Sequence, residues 1–69
     1  MATITAPPDT LDLLTPQEVA RVLRVDTKTL ANWRYLGRGP GFMKDGGVVR
    51  YSREALTAWM RERTVHPHD

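Results

Sequence analysis

Cysteine is absent from the 69-residue chain, so no disulfide braces it and no thiolate holds a metal. Long apolar runs are missing too: none approaches the ~20 residues that span a bilayer. Residues 1–8 lack the basic start and apolar stretch of a secretory signal. The expectation from these absences is a soluble cytoplasmic protein of one domain, with a small core and marginal stability. Acid is also scarce, but only in the middle. From Arg21 to Arg53 the acidic residues are Asp26 and Asp45 alone, against Arg21, Arg24, Lys28, Arg34, Arg38, Lys44, Arg50 and Arg53. Eight cations against two anions make that stretch +6 in a chain of net charge +2, because the flanks hold the compensating acids. A basic face of this kind suits a polyanionic partner.

What is present reads as three helices and a hairpin. Residues 1–10, with Pro7-Pro8 and small polar residues, read as a disordered leader. The domain spans 11–63. Thr15 and Glu18 have the spacing of a capping box, with Pro16 at the first helical position, where its missing N–H costs nothing. Leu14 and Val19 are placed as a hydrophobic staple across that start. The helix runs to about Leu23 with Val19, Val22 and Leu23 as its apolar face. Arg24-Val25 is a short break. Asp26 then caps a second helix from Thr27 to about Leu36, and Gly37 ends it in the left-handed conformation. Phe42-Met43-Lys44 and Val48-Val49-Arg50-Tyr51 read as two strands joined at Asp45-Gly46-Gly47. One of the two valines must face inward, and the pattern leaves open which. Such a hairpin is marginal alone and must pack on the helices as a wing does. Ser52 caps a third helix from Arg53 to about Arg63, whose apolar face is Ala55, Leu56, Trp59 and Met60. Residues 64–69 read as a frayed tail. The fold class is therefore mainly α with a small β-hairpin, a winged helix-turn-helix of three helices and a two-stranded wing.

The second helix carries the chemistry. Leu30 and Trp33 face one way, and Lys28, Ala31, Asn32 and Tyr35 the other. Lys28, Asn32 and Tyr35, at i, i+4 and i+7, form an outward stripe. Lysine donates to guanine O6 and N7, and asparagine pairs bidentately with adenine. Tyrosine contacts a thymine methyl or donates to a phosphate. Ala31 allows close approach. Thr27 and Thr29, at the helix start, suit phosphate, and so does Arg34 at the edge of the stripe. In the wing, Lys44 and Arg50 suit phosphate or the minor groove, and Gly46 at the tip adds no bulk. Trp33 and Trp59 lie on apolar faces and read as core rather than as base-stacking platforms. His66 and His68 lie in the tail, too few for a metal site and too remote for a catalytic set. The chain is expected to be no enzyme and to need no cofactor, metal or small-molecule ligand.

The segment Leu14–Leu56 resembles the excisionase-like and MerR-like winged helix-turn-helix proteins. The resemblance is carried by Leu14-Thr15-Pro16-Gln17-Glu18-Val19-Ala20, by Val25-Asp26-Thr27-Lys28-Thr29-Leu30 with Trp33, and by Lys44-Asp45-Gly46, Val49-Arg50-Tyr51 and Ser52-Arg53-Glu54-Ala55-Leu56. It implies that the second helix enters the major groove and that the wing touches the adjacent minor groove. The long dimerisation helix of MerR-type activators has no counterpart in the sequence. The resemblance therefore implies an excisionase, or recombination directionality factor, of a phage or integrative element. Such a protein binds double-stranded DNA at an attachment region, self-associates cooperatively on repeated sites, bends the DNA and recruits a tyrosine integrase. A small MerR-like transcription regulator is the alternative role. An adaptor that uses the fold for protein contacts is the alternative from another class, and the +6 stretch argues against it.

Overall fold

The computed structural model describes residues 12–67. The leader expected over residues 1–10 lies outside the described residues, as do Leu11, His68 and Asp69. In chain order the elements are β1 (Leu13–Leu14), α1 (Pro16–Leu23), α2 (Thr27–Tyr35), β2 (Met43–Asp45), β3 (Val48–Ser52) and α3 (Arg53–Arg63).

Local chemistry sets the helix starts. The Glu18 amide donates to Thr15 Oγ1 at 3.1 Å, and the Thr15 amide donates to Glu18 Oε1 at 2.8 Å. Both halves of the capping box are thus formed, with Pro16 just inside. The Ala55 amide donates to Ser52 Oγ at 2.9 Å and starts α3 in the same way. Asp26 is a correction. It occupies the N-cap position of α2 with extended backbone, but its side chain makes no capping hydrogen bond. The turn between α1 and α2 closes instead through backbone: the Val25 amide donates to the Ala20 carbonyl at 3.0 Å. Arg24 holds φ 59 there, a conformation that costs a non-glycine residue roughly 1 kcal/mol. Gly37, at φ 72, ends α2 as expected.

The wing has one strand more than expected. The sheet is antiparallel and three-stranded, in the order β1-β3-β2. Leu13 pairs with Ser52 and Leu14 with Tyr51. Arg53 locks this seam twice, donating its amide to the Asp12 carbonyl at 3.1 Å and its Nε to the Asp12 carboxylate. The hairpin is as expected in place, with Phe42 outside the strand and Asp45 inside it. Gly46-Gly47 forms the two-residue loop, with positive φ at Gly46 only, the first loop position, where a II′ turn requires it.

Leu14, Val19, Ala20, Leu30, Tyr51 and Leu56 are buried, with Leu23, Val25, Trp33, Val49 and Met60 packed around them. β1 and α1 supply the first three, α2 Leu30, β3 Tyr51 and α3 Leu56. The staple pair Leu14 and Val19 is therefore in the core. Val22 is not: it is 54% exposed, because among the described residues nothing packs over that side of the eight-residue α1. Of the two wing valines, Val49 faces inward and Val48 outward.

Candidate nucleic-acid interface

The position of α2 follows from two anchors on its inner side. Leu30 is fully buried, and Trp33 is half-buried against the core. These fix the rotation of the helix, and Lys28, Ala31, Asn32 and Tyr35 are all exposed on its other side. Tyr35 is 87% exposed, a large aromatic held out in solvent at the end of the stripe. Among the described residues, no hydrogen bond or ion pair engages the side chains of Lys28, Asn32 or Tyr35. Their donors and acceptors are available to a partner. Thr27 is exposed at the helix start, and Thr29 is half-buried.

Arg34 is placed differently from the stripe. It is half-buried, and its Nη1 donates to the Tyr51 hydroxyl at 2.7 Å. Its guanidinium carbon lies 5.8 Å from the Phe42 ring centroid and 6.0 Å from that of Tyr51. The two rings are themselves 6.0 Å apart. Arg34 thus braces α2 against β3 and the approach to the wing. Sequence reasoning missed this contact. Tyr51 is 17 residues away in the chain, and no local pattern links the two.

The register also separates the two wing cations. Residues directly opposite in an antiparallel pair share a face, and neighbours alternate. Lys44 pairs with Val49 and so lies on the face that carries Tyr51 and Leu14 toward the helices. Arg50 pairs with Met43 and lies on the outer face, beside Leu13 and Ser52. It is half-buried there, with Nη1 donating to the Val49 carbonyl at 2.7 Å. Lys44 is exposed, and Gly46 is exposed at the tip. The register therefore puts Lys44 on the sheet face turned toward the helices and Arg50 on the opposite face.

The Trp33 and Trp59 rings pack on each other at 5.7 Å with a 41° tilt, bridging α2 and α3 in the packing role expected of them. Among the described residues, no helix is long and apolar enough to cross a membrane.

An exposed polar stripe on the second of two tightly joined helices, beside a hairpin, is a geometry for reading a DNA groove. The family model of the helix-turn-helix domain matches residues 13–64. The chain belongs to that family. No curated protein and no solved structure matches the chain. As a member of a DNA-binding family, this helix-turn-helix domain has DNA as its partner.

Proposed function

We propose that this helix-turn-helix protein is an excisionase. It binds attachment-site DNA sequence-specifically, bends it and directs a tyrosine integrase toward excision. It has no catalytic chemistry of its own and acts in the cytoplasm of a bacterial host, loading cooperatively on repeated sites. The observation that supports base reading is the exposed Lys28–Asn32–Tyr35 stripe, whose side chains make no hydrogen bond or ion pair among the described residues. Support for the recombination role comes from the resemblance of the Leu14–Leu56 segment to excisionases.

The deciding experiment is a mobility-shift titration on the attachment region of the host element and on random DNA of equal length, at two salt concentrations. A ladder of discrete complexes on the attachment DNA, together with raised integrase-dependent excision, is the expected result. Unchanged excision with tight binding at a promoter moves the reading to a small MerR-like transcription regulator.

Two variants test the interface itself. Asn32→Ala is expected to cost ~1–3 kcal/mol on the specific site and far less on random DNA, because a lost base contact removes discrimination. Equal loss on both takes Asn32 out of the base-reading set. Lys44→Ala is expected to weaken binding to every sequence and to lower the salt slope by about one. Arg50→Ala, on the outer face, is expected to change the slope by less.

A further inference from the structure

A pocket of about 210 Å³ lies between the turn after α2 and the C-terminal end of α3. Trp33, Gly37, Arg38, Gly39, Trp59 and Arg63 line it. We propose that it is a phosphate site, occupied by a backbone phosphate of the bound DNA. The proposal rests on the DNA-binding reading but uses residues outside the recognition stripe.

Three observations carry it. The first is the Trp59 indole N–H, which is buried and has no hydrogen-bond partner among the described residues. A buried donor without an acceptor is unfavourable, and a ligand oxygen supplies one once the Arg63 side chain stacked over the ring gives way. The second is the chemistry of the lining. Its side chains are two guanidiniums and two indoles, with no carboxylate among them. Arg63 stacks 4.7 Å over the Trp59 ring, which holds its charge beside the orphan donor. Its contact with Glu62, at 3.3 Å, joins two exposed side chains and neutralises little in water. The third is that the negative ends of the two helices are already engaged. The amides of Leu36, Gly37 and Arg38 donate to the Asn32, Arg34 and Trp33 carbonyls. At the end of α3, Arg63 Nη1 donates to the Trp59 carbonyl and Thr64 Oγ1 to the Met60 carbonyl. The helix ends keep a negative partial charge of roughly half a unit each, which the two full charges of Arg38 and Arg63 outweigh.

The pocket is also built. Gly39 sits at φ 88, and a Cβ there would lie 3.0 Å from Trp33 Cε3, so the turn closes onto the indole only with glycine. Its location suits a DNA phosphate. A helix lying in the major groove has its ends beside the sugar–phosphate walls, and the pocket opens just beyond the C-terminus of α2.

The chain has two tryptophans, and both line the pocket, so intrinsic fluorescence reads its occupancy. The test combines that signal with salt-dependent DNA binding by the wild type, by the double variant Arg38→Ala, Arg63→Ala, and by Trp59→Phe. A single phosphate clamped by both arginines predicts that the double variant lowers the salt slope by about one. Trp59→Phe, which loses a neutral donor, is expected to bind DNA several-fold more weakly with an unchanged slope. An unchanged slope in the double variant overturns the site. So does a fall of about two, which means separate surface contacts, and so does wild-type affinity in Trp59→Phe. If the wild type binds no DNA at low salt, the DNA-binding reading fails by itself. Inorganic phosphate against chloride at equal ionic strength then decides the pocket. A fluorescence change lost in Arg38→Ala supports a phosphate site, and no change in the wild type overturns it.

Discussion

Leu30→Ala is expected to lower the melting temperature by roughly 10–30 °C and with it to abolish DNA binding at 37 °C. Leu30 is fully buried and is the one wholly buried residue of α2. Truncating a leucine in a core costs about 2–5 kcal/mol, because the cavity term adds to the lost transfer energy. A domain of this size has a total stability on the order of 5 kcal/mol, and each 1 kcal/mol moves its melting temperature by about 4–8 °C. The control is Val22→Ala. Val22 belongs to the apolar periodicity of α1 but is 54% exposed, so its truncation is expected to stay within about 0.5 kcal/mol. Thermal unfolding followed by far-ultraviolet circular dichroism measures both. A Val22 variant as unstable as the Leu30 variant is incompatible with this packing.

Arg34 and Tyr51 are expected to behave as one unit. Arg34→Ala removes a part-buried, charge-assisted hydrogen bond, a loss of about 1.5–3 kcal/mol. Tyr51→Phe keeps the buried ring and deletes only the acceptor. If the contact acts through both partners, the double variant is no worse than Arg34→Ala by more than a few tenths of a kcal/mol, the usual limit of additivity for independent sites. The effect on DNA distinguishes two roles. Tyr51 is 1% exposed and does not reach a ligand, so any binding loss in Tyr51→Phe comes from the changed relation of α2 to the wing. The expected outcome is reduced preference for the specific site with an unchanged salt slope. Wild-type binding by Tyr51→Phe, together with a slope lower by about one in Arg34→Ala, returns Arg34 to the phosphate-contacting role that its place on the helix suggests.

These two residues also show where sequence reading stops. Helix starts are legible because a cap is a local bond: Thr15 with Glu18 and Ser52 with Ala55 lie three positions apart. The exposed side of α2 is legible because two large apolar residues, Leu30 and Trp33, fix the rotation of a short helix. Other features depend on what the chain meets far along its length. β1 is two residues long and becomes a strand only by pairing with β3. Val22 repeats at the helical period, yet no element among the described residues covers its side of α1. Lys44 and Arg50 look equivalent in the sequence, and the pairing register puts them on opposite faces. Asp26 stands where a cap belongs, but its carboxylate makes no bond to the helix start. The pocket lined by Arg38, Trp59 and Arg63 unites residues from two separate segments, and no spacing rule announces it.

The exposed stripe of α2 has a consequence for how such a domain changes over time. The side chains of Lys28, Asn32 and Tyr35 contribute no hydrogen bond or ion pair to the described fold, and the six residues of the buried core cluster lie elsewhere. Exchanging solvent-exposed side chains of this kind perturbs stability by no more than about 0.5 kcal/mol. The target sequence can therefore drift, or be redesigned, while the scaffold stays constant. New specificity is reached by single substitutions on one helix face, each tolerated by a domain too small to absorb many losses in its interior.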